Sequence, residues 1–208
     1  KVEKYPDAKF TFIDGKPFGF PTLNRWDLTR GSSLVVRKDI REELSIEIPK
    51  TFDEYYEMLK KFKASHPECI PYVNRNGSGN LMLTLGYSLG SGNTIMFDPQ
   101  AGKFLFQPAK QETKQVLAYL NNMYKEKLLD PDYASVKGTA WEEKIASGIG
   151  LSFLDNVGYA AKYIPKLQEI NNNVEFEVIF LPKNSFGYAR GLYTAPHQLN
   201  RIWAINPK

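Results

Sequence analysis

A single cysteine, Cys69, and two histidines, His66 and His197, are all the thiol and imidazole that this 208-residue chain contains. One thiol closes no disulfide within the chain, which leaves the redox compartment open. Structural zinc sites draw on clusters of Cys and His, so the sequence predicts no metal and no cofactor. His66 stands before Pro67, at the expected C-terminal cap of a helix. No apolar run approaches the roughly 20 residues that span a bilayer. The formal charge is +4, but the lysines are interleaved with acids, as in "EYYEMLKKFK". Without a long basic tract, no nucleic-acid partner is expected.

The usual catalytic signatures are also missing. Gly86 to Gly92 lacks the Lys-Ser/Thr ending of a phosphate-cradling loop, and no G-x-S-x-G nucleophile elbow is present. A glycosidase needs only two carboxylates. Asp53, Glu54 and Glu57 read as a solvated helix face, while Asp130 and Asp132 belong to a turn. Asp155 differs, because it ends a buried strand, where polar groups reach a cleft. A hydrolase built on Asp155 would still require a second carboxylate that the sequence does not single out.

Hydrophobic residues make up 42% and charged residues 24%, as expected of a globular domain with a substantial core. Phe10 to Pro21 alternates around Asp14-Gly15 and predicts a tight hairpin. "SSLVVRK" reads as a short buried strand that runs into a charged helix. Thr51 and Glu54 form a capping box for a helix in which Phe52, Tyr55, Tyr56, Leu59 and Phe62 follow helical spacing. "RNGSGN" (Arg75 to Asn80) reads as a polar loop before a buried helix, and "TIMFDPQAGKFLFQP" as a second hairpin. A helix over 111–128 places Val116, Leu117, Leu120, Met123 and Tyr124 on one face. Thr139 and Glu142 look like a second capping box. "GIGLSFLDN", "VEFEVIF" and "RIWAI" read as strands, with a helix over 159–170 between the first two. Helices alternating with strands predict an α/β fold with a mixed sheet flanked by helices.

The segments "DGKPFGFPTLNR", "LVVRKDIREELSIEIPKTFDEYYEMLKKFK", "LLDPDYA", Trp141 to Gly148 and "VIFLPKNSFGYAR" occur in one order along nearly the whole chain. That ordered set resembles the extracellular solute-binding proteins of ABC transporters, the family-1 type that handles carbohydrates. The resemblance implies one lobe of a two-lobed, periplasmic-binding-protein-like fold. On that reading residues 1–208 form a single α/β domain, with 31–187 as the lobe body and 1–30 and 188–208 as inter-lobe crossing segments. Family members are longer, and Lys1 is not an initiator Met, so the chain reads as a piece of something larger. The implied partners are a carbohydrate or other small polar solute and the membrane permease. The implied location is extracellular, either lipid-anchored at the cell surface or periplasmic.

A sugar offers apolar C–H faces and a rim of hydroxyls, so its receptor needs flat aromatic surfaces beside planar polar groups. Asn24, Arg25 and Trp26, then Asn76, Trp141, Asp155 and Asn156, join these types near strand ends and helix starts. Each has a plainer alternative. Trp141 can anchor a core, Arg25 can pair with a surface acid, and Asn76 can be a turn residue. Non-catalytic oligosaccharide capture is the leading expectation, with the Asp155 hydrolase or a stand-alone interaction domain as alternatives.

Overall fold

The computed structural model describes residues 11–23, 33–98, 101–156, 158–191 and 199–203, with backbone alone for 20–23 and 199–203. The chain divides into two compact units, 1–31 with 193–208, and 32–192. In the first unit, β1 (Phe12–Ile13) pairs antiparallel with β2 (Lys16–Pro17). Asp14 and Gly15 both adopt positive φ, 49° and 73°, as the two central positions of a type I′ hairpin require. The long-range pairing of this unit joins β3 (Phe20–Leu23) to Leu199–Trp203, with Phe20 opposite Trp203.

The second unit opens with β4 (Ser33–Arg37), α1 (Lys38–Glu43) and α2 (Phe52–Ser65). A continuous helical stretch follows, comprising α3 (Gly77–Leu81), a π-helical turn (Met82–Gly86) and α4 (Tyr87–Leu89). Next come β5 (Ile95–Asp98), β6 (Lys103–Phe106) and α5 (Gln111–Lys125). The remainder is α6 (Gly138–Ala146), β7 (Ser152–Asp155), α7 (Gly158–Gln168) and β8 (Phe176–Ile179). The Leu199–Trp203 strand of the first unit is β9.

The central sheet runs β7-β4-β8 with antiparallel pairing. Beyond β7 it continues as parallel pairing. Ile70 N donates to Ile149 O at 2.8 Å and Val73 N to Ser152 O at 3.0 Å. Tyr72 then donates to Leu128 O at 2.9 Å and accepts from Asp130 N at 3.0 Å. The sheet is therefore mixed, as the sequence predicts.

Leu34, Val35 and Val36 are all fully buried because helices cover both faces of β4. Leu34 and Val36 join Phe52, Tyr55, Leu59, Phe62, Leu85, Leu120 and Met123 in one core. Val35 joins Val73, Trp141, Ile145, Phe153 and Tyr163 in the other, beneath α6 and α7. Helix α2 carries the expected capping box, with Thr51 Oγ1 accepting from Glu54 N at 3.1 Å and Glu54 Oε2 from Thr51 N at 3.3 Å. His66 is its C-cap, as read from the sequence.

Three local expectations are corrected. Leu117 and Tyr124 are 53% and 48% exposed, because the stripe of α5 that packs inward is Thr113, Val116, Leu120 and Met123. The second capping box does not form. Helix α6 starts at Gly138 with Lys137 as its N-cap, two residues too early for Glu142, which accepts from Lys162 and Tyr163 of α7 instead. The polar loop after Arg75 is shorter than expected, since Asn76 in the left-handed region (φ 60°) starts α3 at Gly77.

Candidate functional site

Strand β7 and the parallel segment 70–73 end at the same edge of the sheet, so the residues that follow each of them emerge side by side. In α/β folds this carboxyl edge is where ligands bind, because the chain leaves the core there and helix N-termini face outward. The residues in question are Asn74, Arg75 and Asn76 after one strand and Asp155 and Asn156 at the end of the other.

Arg75 holds this cluster together. Its Nε and Nη2 donate to Oδ2 and Oδ1 of Asp155 at 2.9 and 3.1 Å, a bidentate pair. Its Nη1 donates to the Tyr159 hydroxyl at 2.9 Å. The guanidinium lies 5.1 Å from the Tyr159 ring centroid and 5.8 Å from that of Trp141. Asp155 is buried, whereas the Arg75 side chain is 29% exposed, so the pair presents its cationic side outward. Asp155 Oδ1 also accepts from Asn156 N at 2.7 Å.

Trp141 is fully enclosed, with its ring edge-to-face against Phe153 at 5.3 Å and Tyr159 at 4.8 Å. What it contributes at the edge is a floor under Arg75, not an open stacking face. Asn156 is exposed, and its Oδ1 accepts from Gly158 N at 2.8 Å, which caps the start of α7. Asn76 is exposed at the start of α3. Its position depends on Gly77, whose φ is 74° and where a Cβ would stand 2.9 Å from Ala134 O. Asn74, buried beneath it, donates to Gly77 O at 3.0 Å, and its own Oδ1 has no partner among the described residues.

The structure thus brings Asn76, Trp141, Asp155 and Asn156 to one edge of the sheet, while Asn24, Arg25 and Trp26 lie outside the described residues. Arg75 and Tyr159 are the residues that sequence reasoning missed. The only available signal was an Arg beside Asn76 in a glycine-rich stretch; its acid stands 80 positions away. Behind the edge, the Tyr163 hydroxyl and the Lys162 ammonium hold Glu142 below the usual carboxylate range. Both oxygens of Asp155 are engaged, which suits a group that positions Arg75 better than one that delivers a proton.

Comparison with known proteins places this geometry in context. The family described as bacterial extracellular solute-binding protein matches residues 6–195. Among curated proteins, lipoprotein LipO of Bacillus subtilis is 22% identical over 175 residues, covering 79% of this chain and 34% of LipO. The polygalacturonan/rhamnogalacturonan-binding protein YtcQ of Bacillus subtilis is 26% identical over 165 residues, covering 76% of this chain and 32% of YtcQ. The chain therefore spans about a third of the length of these relatives. Among solved structures, the alginate-binding protein AlgQ2 without calcium ion superposes with a TM-score of 0.73 at 20% identity. That match covers 90% of this chain and 40% of AlgQ2, and it shows a shared fold.

Proposed function

The chain belongs to the bacterial extracellular solute-binding protein family, and from that premise we propose that it forms one lobe of a two-lobed receptor that captures an oligosaccharide for uptake through an ABC permease. The observation that carries this reading is the Arg75–Asp155–Tyr159 cluster at the carboxyl edge of the sheet, with Asn76 and Asn156 exposed beside it. A partly exposed guanidinium held in place by a buried carboxylate is a preorganised donor for hydroxyl oxygens, and exposed amides both donate and accept. Relatives named for polygalacturonan, rhamnogalacturonan and alginate support a carbohydrate as the solute.

In this reading Asn24, Arg25 and Trp26 contribute from the crossing segments 1–30 and 188–208. The second lobe comes from a longer chain, as the one-third coverage of the relatives supports. Closure of the two lobes would exclude water and present a surface to the permease. The family and a lipoprotein relative support a place outside the cytoplasm, and we extend this to a lipid anchor on the intact protein. Among the described residues, no helix is long and apolar enough to cross a membrane. The test is calorimetric titration of the full-length receptor with pectic, alginate and neutral oligosaccharides. Arg75→Ala should weaken the preferred ligand at least tenfold. Unchanged affinity would place the site elsewhere.

A further inference from the structure

Arg190 is a buried cation that the solute-capture reading does not use. It is only 7% exposed. Its Nε donates to Tyr87 O at 2.6 Å, and its guanidinium lies 4.0 Å from the Tyr87 ring centroid. Its Nη2 is 3.5 Å from Gln107 Oε1. Two enclosed donors on this small patch, Arg190 Nη1 and Gln107 Nε2, have no acceptor among the described residues.

The other arginines with described side chains behave differently. Arg37 grips Asp39 at 2.6 Å, Arg41 grips Glu177, and Arg75 grips Asp155 at 2.9 Å. No ion pair ties a described carboxylate to Arg190. A guanidinium cannot escape burial by losing its proton, so an unpaired one is costly wherever it is enclosed. The Tyr87 ring offsets part of that cost through its π face. Two unmet N–H donors beside a positive charge that no described carboxylate pairs are the type of groups that a carboxylate's two oxygens satisfy.

We infer that Arg190 and Gln107 form a socket for a carboxylate that reaches them from outside the described residues. Two sources share that chemistry: a free monocarboxylate, or the acid group of a uronic acid unit in the captured oligosaccharide. The second source rests on the solute-capture reading above; the socket itself does not.

The test compares charged ligands with neutral counterparts of the same shape. The melting midpoint of the full-length receptor is followed at constant ionic strength with acetate against acetamide, and with trigalacturonate against its fully methyl-esterified form. Acetate should raise the midpoint by several degrees and acetamide should not. Arg190→Met should abolish the response. Gln107→Glu places a carboxylate opposite Arg190, so that variant should melt higher than the wild type without any ligand and ignore acetate. If trigalacturonate stabilises more than its ester, and only while Arg190 is present, the solute is the source. If acetate acts while the two sugars behave alike, the socket stands with a free carboxylate as its occupant. If neither sugar binds, a galacturonate solute is excluded, and acetate still decides the socket. Equal midpoints in acetate and acetamide, or an acetate response that survives in Gln107→Glu, would overturn it.

Discussion

Arg75 and Asp155, 80 residues apart in sequence, meet through two hydrogen bonds of 2.9 and 3.1 Å and join the ends of two neighbouring parallel strands. The pair is both a structural tie and the centre of the proposed site, so its removal should register in two separate measurements. Asp155→Asn keeps the shape but removes the charge that orients Arg75. Denaturant unfolding should show a loss of about 1–2 kcal/mol. Solute affinity of the full receptor should fall at least tenfold, and a variant that loses stability alone would make the pair purely structural.

Trp141 separates packing from contact. Because its ring is fully buried, Trp141→Ala should cost about 3–5 kcal/mol through the cavity it leaves. Trp141→Phe retains much of the contact with Phe153 and Tyr159 and should keep solute affinity within a few-fold. A large affinity loss in a well-folded Trp141→Phe protein would show that the indole meets the ligand directly.

The 208-residue chain alone should bind its solute at millimolar strength or undetectably. Micromolar binding corresponds to about −8 kcal/mol. When half of the contacts vanish and the rigid-body entropy cost stays, the surplus shrinks faster than the contact area does. Micromolar binding in calorimetry of this chain would remove the need for a second lobe.

Alkaline pH should unfold the protein through its tyrosines. Burial, and next the nearby Glu126, push the Tyr56 phenol up to about 12. Burial also raises Tyr55, whose hydroxyl meets Ser152 Oγ at 2.7 Å. The unfolded value is about 10. A pKa raised by folding means stability that is fully present below pH ~10 and lost as pH rises through the folded value. Unfolding free energy measured from pH 8 upward should stay flat and then fall, with a shallower fall in Tyr56→Phe. A decline that begins well below pH ~10 would assign the effect to other groups.

The sheet and its order of helices were legible because local signals and tertiary packing agreed. Thr51 and Glu54 cap α2 as their spacing says, and Leu34-Val35-Val36 is apolar throughout because both of its faces are covered. Periodicity misled where it could not know the width of a neighbour, as at Leu117 and Tyr124 on α5. The capping pattern at Thr139 and Glu142 misled because a tertiary partner, α7, took the glutamate. At the site, Asp155 was visible as the polar end of a buried strand. Arg75 was not, since an ion pair spanning 80 residues leaves no local trace.

The pairing of Phe20 with Trp203 in β3 and β9 has a consequence for biosynthesis. A ribosome makes β3 before, and β9 after, all of 32–192. Closing so long a loop in an unstructured chain costs about 4–5 kcal/mol of entropy, which disfavours forming the two-stranded ribbon before the intervening residues have folded. Before β9 is made, β3 lacks the partner strand that it has in the fold. In that interval an unpaired strand is open to pairing with other chains, and a chaperone that holds extended strands would protect it.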